Sequence, residues 1–280
     1  MVCRRIKEDV PLLKDITIGQ YFPGRSPVHR MDPRVKLVLT MAFIVMLFMS
    51  SSFYGLLAGI AFTLLTFAVS RIPAKMMLKS LKPIIPIIIF TALLNLLFVR
   101  TGDVLWQFKF IKITQEGVHT AVFMVVRIVC LIIGTSLLTY TTSPIDLTDA
   151  IERLLSPLKK IKVPVHELAM MMTIALRFIP TLIEETDKIM SAQKARGADM
   201  ESGSLLQRAR ALIPILIPLF VSSFRRAEEL ALAMECRCYH GGEGRTRMKL
   251  LRTGAADYIA IAVTAAFIGA VAVINILVKG

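Results

Sequence analysis

Residues 35–70 read VKLVLTMAFIVMLFMSSSFYGLLAGIAFTLLTFAVS, and what this run can be decides the class of the fold. It is apolar almost throughout, broken by Ser50-Ser51-Ser52 and by Tyr54-Gly55. One helix of this length would measure about 54 Å, against a bilayer hydrocarbon core of about 30 Å. The run is therefore expected to form a tight helical hairpin of two short spans.

Working outward, further spans are expected at 83–99, at 118–140 and, most cleanly, at 256–278. Residues 1–34 form a basic, Pro- and Gly-containing lead without a span. They lack the short apolar core of a cleavable signal peptide, so the first span is expected to do the targeting. The composition agrees with a membrane protein. Hydrophobic residues make up 55% of the chain, where soluble domains have about 45–50%. The net charge of +14 does not indicate nucleic acid, because the basic residues flank apolar runs instead of clustering with aromatics on a polar face. That pattern fits a protein held by anionic membrane lipid. The four cysteines, Cys3, Cys130, Cys236 and Cys238, form no disulfide framework.

Loop charge gives the orientation. The lead, the 71–82 loop and the 144–254 stretch are rich in Lys and Arg, whereas the Ser50–Tyr54 turn has none and the 100–117 loop has few. Basic loops stay inside. The N-terminus, the 71–82 loop and the long region are thus expected in the cytoplasm and, with five spans, the C-terminus outside. The expected class is an all-α membrane protein: about five transmembrane helices plus a cytoplasmic coupling domain of long amphipathic helices. Its parts are the lead (1–34), helices 1–4 (35–142), the coupling domain (143–254) and helix 5 (255–280).

Within 143–254, Ser143-Pro144-x-Asp146 starts a short helix, with Pro at the first helical position and an acid in the first turn. Long patterns follow over 164–197 and 205–237. Their early halves are apolar but interrupted by Pro164, Pro180, Pro214 and Pro218, and Glu167 and Arg177 sit in the first. They are expected to be amphipathic helices lying under the spans, with charged ends in the cytoplasm. Met170-Met171-Met172 supplies soft side chains suited either to a changing partner or to filling a core.

Each long pattern ends on an Arg: Ala195-Arg196-Gly197 and, 41 positions later, Cys236-Arg237-Cys238, with Asp187 and Glu228 nine residues upstream. A helix C-terminus carries partial negative charge, which favours an Arg whose guanidinium projects beyond the end. Either alone reads as an ordinary basic helix end. The repetition suits a partner with two similar acidic grooves, such as a pair of ATPases.

No G-x-x-x-x-G-K-[ST] occurs, so the chain has no phosphate-cradling loop and is not expected to be an enzyme. The Gly-rich residues 241–246 read as a flexible connector. His166-Glu167 lacks the second His of a zinc-hydrolase helix, and Cys236-x-Cys238-x-His240 offers three ligands around a charge with no fourth nearby, so no metal is expected. Arg127 falls in mid-span, where charge is expensive, and should face the bundle interior as a structural clamp, with a transport role as the second reading. Asn95 and Asn275 can hydrogen-bond between helices.

Several further motifs complete the pattern. They are Ile18-Gly19-Gln20-Tyr21, His29-Arg30-x-Asp32-Pro33-Arg34, Thr141-Thr142-Ser143-Pro144 with Leu147 to Ala150, Ala175-Leu176-Arg177-Phe178-Ile179-Pro180, Gln193 to Asp199 and Gly241 to Arg247. With these the chain resembles, over essentially its whole length, the transmembrane T component of energy-coupling factor transporters, bacterial importers of vitamins and trace nutrients. The resemblance implies a multi-pass subunit of the bacterial cell membrane. Two crossed coupling helices would end in Arg196 and Arg237, each docking in a groove of one of two ABC-type ATPase subunits. Their apolar surface, including Met170, Met171, Met172, Leu216 and Leu219, would hold one substrate-binding S component. ATP would bind the partner ATPases, leaving no cofactor in this chain. One departure stands out. The family usually has Ala-Arg-Gly or a close relative at both ends, whereas Cys236 and Cys238 flank Arg237. A left-handed turn is less favoured there, and Gly241-Gly242 is expected to take over chain reversal. The rival class is a self-contained secondary transporter or membrane receptor binding solute in its own bundle. It predicts polar or charged groups in several spans, discontinuous helices and repeated halves, whereas the sequence has one mid-span Arg, no matching halves and a polar domain over about two fifths of the chain.

Overall fold

The computed structural model describes residues 21–24, 26–50, 52–99, 104–108, 111–198, 204–242, 251 and 253–279. Ile18-Gly19-Gln20, Asp199 and the 243–247 portion of the last motif lie outside the described residues. The chain forms two compact units, Gly19–Ala150 with Lys249–Gly280 and Met1–Ile18 with Ile151–Met248.

The first unit is a helix bundle. Its elements are α1 (Pro27–Arg30), α2 (Pro33–Met49), α3 (Phe53–Ser70), α4 (Ala74–Leu81), α5 (Ile85–Phe98), α6 (Gln115–Thr141), the start of α7 (Pro144–Leu155) and α10 (Ala255–Lys279). The hairpin expected at 35–70 is the α2–α3 pair. Phe43, Met46, Leu47, Phe62, Cys130 and Val271 form the core, where α2, α3, α6 and α10 meet. In lipid such packing is held by contact rather than by the hydrophobic effect, so close approach matters. A Cβ added to Gly59 would stand 2.6 Å from Leu47 Cδ2, so a larger residue there would have to push the buried Leu47 side chain aside.

α2 has 17 residues, about 26 Å of helix, and falls short of the hydrocarbon core. Its last carbonyls need donors from the protein, since lipid offers none. Arg127 on α6 donates to Ser50 O, and Asn275 on α10 donates to Met49 O at 2.7 Å. The Arg127 guanidinium also lies over the rings of Phe123 (4.6 Å) and Phe48 (5.9 Å). The clamp expected of Arg127 is what the structure holds. Asn95, by contrast, bonds Thr91 O within its own helix.

Two segments differ from expectation. Residues 71–82, read as a loop, contain α4 and a 3-10 turn at Lys82–Ile84 leading into α5. Met77 is buried against Leu137 and Tyr140, and the Tyr140 hydroxyl meets Ser80 Oγ at 2.5 Å, so the segment is packed down as a helix. The 100–117 loop carries an antiparallel hairpin, β1 (Val104–Phe108) with β2 (Ile111–Thr114), where β-branched and aromatic residues predominate. Apart from it the described elements are helical.

The second unit holds the end of α7, a 3-10 turn at Ser156–Ile161 and two 31-residue helices, α8 (Val165–Ala195) and α9 (Leu205–Glu235). Both are the long helices expected over 164–197 and 205–237, and both run on through their prolines, Pro180 in one and Pro214 and Pro218 in the other. Among the described residues six helical stretches are long and apolar enough to cross a membrane: Phe53–Ser70, Ala74–Phe98, Gln115–Thr141, Val165–Ala195, Leu206–Glu235 and Ala255–Leu277. The chain is a multi-pass membrane protein. The set differs from the five expected spans by including α8 and α9, with mean hydropathies of 1.3 and 1.2 against 1.9–2.5 for the others, and by omitting the short α2.

Candidate functional site: two matched helix ends

α8 and α9 run antiparallel, as three contacts spaced along them show. Near one end the Gln193 amide donates to Pro214 O at 3.3 Å. That carbonyl is free because Pro218, four residues on, has no N–H. Further along, Arg226 Nη2 donates to Glu185 Oε2 at 2.9 Å, and Ser222 also hydrogen-bonds this carboxylate. At the other end Gly242, beyond α9, sits against the His166 ring, where an added Cβ would lie 2.8 Å from Cγ. His166 Nδ1 in turn meets Glu152 Oε1 at 3.0 Å.

The two Arg-bearing ends close in the same way. At the end of α8, Gly197 N donates to Lys194 O (3.0 Å) and Ala198 N to Gln193 O (3.0 Å). At the end of α9, Cys238 N donates to Glu235 O (2.8 Å) and Tyr239 N to Met234 O (3.1 Å). Each is a Schellman closure with Arg in the half-helical position before a left-handed residue. The left-handed residue is Gly197 (φ 85°) in one and Cys238 (φ 54°) in the other. The left-handed turn, less favoured at the second end for want of glycine, nevertheless forms there. Cys238 adopts it despite its Cβ, and Gly241 (φ 94°) adds a second left-handed residue three positions later. Ala195, Arg196, Gly197, Cys236, Arg237 and Cys238 are all exposed. Among the described residues no three His, Cys, Asp or Glu converge as metal ligands.

The 41-residue offset extends inward from the ends. Glu185 and Arg226, which pair with each other, are themselves 41 apart, and each stands eleven residues before its own Arg. The pair divides the hairpin into equal arms of about 16 Å, so Arg196 and Arg237 lie at opposite ends, about 33 Å apart along the helix axes. The upstream acids are less alike, since Asp187 is half-buried and Glu228 exposed. The pairing of Glu185 with Arg226 escaped the sequence reading, although the same offset applied to Arg226 would have found it.

Met171 and Met172 are exposed and Met170 is half-buried, so the first two do not fill a core of this chain. On α9, Leu216 is exposed and Leu219 half-buried. Ile213, Ile217, Phe220 and Phe224 continue an exposed apolar stripe at helical spacing.

The N-terminal motif builds a polar lock at one end of the bundle. Asp32 caps α2 through Arg34 N, and its own N–H donates to Asp257 Oδ1 at 2.9 Å. Arg34 binds the Asp32 carboxylate and Leu251 O. Lys36 Nζ donates to Thr141 O (2.9 Å), His29 O (3.2 Å) and Thr142 Oγ1 (3.4 Å). His29 holds Ser26 Oγ at 2.6 Å and donates from Nε2 to Phe22 O at 3.0 Å. Burial, with help from the Lys36 charge, holds the His29 imidazole below its ordinary value, against the Phe22 carbonyl bond, which raises it.

Residues 24–248 match the family model described as cobalt transport protein, CbiQ. The chain is similar to three relatives named energy-coupling factor transporter transmembrane protein EcfT. It is 58% identical to that of Clostridium kluyveri, over 89% of this chain and 93% of the relative. It is 55% identical to that of Ruminiclostridium cellulolyticum, over 91% and 96%. With that of Bacillus subtilis the identity is 51%, over 87% and 92%.

Proposed function

From the premise that the chain belongs to the CbiQ family, among the energy-coupling factor transporter transmembrane proteins, we propose that α8 and α9 couple two ATPase subunits to a substrate-binding S component. Arg196 and Arg237 each dock in an acidic groove of one ABC-type ATPase. The apolar stripe of α9 and Met170, Met171 and Met172 of α8 receive the S component of a vitamin or micronutrient importer. The chain itself is non-catalytic, and ATP binds the partners. The N-terminus and the coupling region face the cytoplasm, as loop charge requires, and the C-terminus faces outside.

The observation that carries this reading is the identity of the two helix ends. The same closure, the same residue at the cap and the same eleven-residue arm occur on two antiparallel helices. An antiparallel pair with equal arms has an approximate two-fold axis through its crossing, and a two-fold ATPase pair presents its two grooves about such an axis. An Arg fork exposed at each end suits a carboxylate-lined groove.

The test is association of the chain with its ATPase pair. Arg196→Glu and Arg237→Glu should each weaken it by about thirty-fold or more, because removing one partner of a desolvated charge contact costs about 2–5 kcal/mol. The double variant should lose stable assembly, since each dock raises the effective concentration of the other. Arg208→Glu, exposed and outside both ends, is the control. A control loss as large as that at the motif sites would replace specific docking by diffuse electrostatics.

A further inference from the structure

A cavity of about 320 Å³ lies in the bundle between α1, α2, α3, α6 and α10. Its walls follow α2 from Lys36 to Phe43, α3 from Phe62 to Val69, α6 from Gly134 to Thr141 and α10 from Ala256 to Thr264. Eight or nine residues of each helix make a slot about 10–12 Å long, less than half the thickness of the hydrocarbon core. Lys36, Thr141 and Ala256 put it at the end of the bundle that carries the polar lock, so it falls within one leaflet. Leu65, Val69 and Ile259 line it yet remain exposed, which marks the side on which it opens.

The polar groups on its walls ask nothing of an occupant. Thr40 bonds Lys36 O, Thr66 bonds Phe62 O, Thr141 bonds Leu137 O and Thr264 bonds Ala260 O, all at 2.8–2.9 Å. The Lys36 ammonium is taken up by the three acceptors of the polar lock. Water in a protein interior needs two to four polar partners, and the threonine hydroxyls, their protons already committed, offer only spare acceptor lone pairs. An empty apolar void costs stability in proportion to its volume. The surroundings supply one abundant occupant that needs only apolar contact, and the geometry points to the acyl chain of a membrane phospholipid as the resident ligand of this slot. Asp32, Asp146 and Asp257 act on Lys36, so its charge is opposed within the protein. The slot selects a hydrocarbon chain and is indifferent to the headgroup.

The test places the full chain in lipid nanodiscs with a phosphatidylcholine that carries a photoactivatable diazirine near the end of one acyl chain, followed by peptide mapping. Phe43, Phe62 and Thr264 are buried to 3%, 7% and 3% exposure, beyond reach of lipid on the outer surface. Adducts on these residues are expected in the unaltered chain, alongside surface adducts on Ile87 and Phe90 of α5, which are exposed. Ala260→Phe, which fills the slot, should reduce the interior adducts at least ten-fold and leave the α5 adducts unchanged. Adducts confined to the outer surface of the unaltered chain would overturn the proposal without reference to any variant. So would interior labelling that persists undiminished in a folded Ala260→Phe protein.

Discussion

Exchanging the two left-handed residues isolates the backbone difference between the matched helix ends, where Gly197 in one stands for Cys238 in the other. Cys238 holds φ 54° with a Cβ in place, whereas Gly197 holds φ 85° without one. The left-handed region costs an L-residue about 1–2 kcal/mol. Glycine returns part of that, about 0.4–1 kcal/mol, through the greater freedom of its unfolded chain. Cys238→Gly should therefore stabilise the end of α9 by about 0.5–1 kcal/mol, and Gly197→Cys should destabilise the end of α8 by a similar amount. The second substitution is clean, because nothing lies within 4 Å of where a Cβ on Gly197 would project. Hydrogen exchange at the closing amides reads the effect directly. The Tyr239 amide should exchange about two- to five-fold more slowly in Cys238→Gly, and the Ala198 amide about two- to five-fold faster in Gly197→Cys. Shifts of the same sign in both variants, or none in Gly197→Cys, would refute the idea that backbone conformation separates the two ends.

Two further outcomes follow from the bundle. Arg127→Met should lower unfolding stability in detergent by about 2–3 kcal/mol, because Ser50 O loses a charge-assisted donor. Asn275→Leu should cost less, about 0.5–1 kcal/mol, as is usual for a neutral interhelical bond; the ranking is checked by equilibrium unfolding of both variants. The third concerns pH. Since His29 titrates below its ordinary value of 6.5 in the fold, its contribution is complete above pH 6.5 and is lost as pH falls through the lower folded value. Stability measured from pH 7.5 to 5 should decline over that interval, and His29→Gln should flatten the decline.

Most of the helices were legible because lipid leaves few options for a long apolar run. Residues 35–70 could only be a hairpin, and α6 and α10 announced themselves by length. The paired Arg ends were legible too, because a C-terminal closure is local and its residues are adjacent in sequence. What escaped depends on contacts remote in sequence. The 71–82 segment looked like a basic loop until Met77 found Leu137 and Tyr140 to pack against. The hairpin at 104–114 alternates too briefly to register beside spans four times as long. The two long helices were expected in spite of their prolines, but the donor that satisfies the carbonyl freed at Pro214 was not, because Gln193 lies on the other helix. That Arg127 needs a partner was plain from its depth; that the partner is the end of a short helix followed only from the length of α2.

Under the coupling role proposed above, the equal arms on either side of Glu185 and Arg226 have a mechanical meaning. Displacing the two Arg ends by the same amount in opposite directions turns the pair about its crossing and leaves the crossing in place. Displacing them in the same direction carries the whole pair along without turning it. A lever with unequal arms would mix rotation and translation in every stroke, whereas this one keeps them separate. Inserting one residue between Glu185 and Arg196 would lengthen a single arm by about 1.5 Å and swing its end about 100° around the helix axis. The midpoint between the two Arg ends would then no longer fall on the Glu185–Arg226 pair.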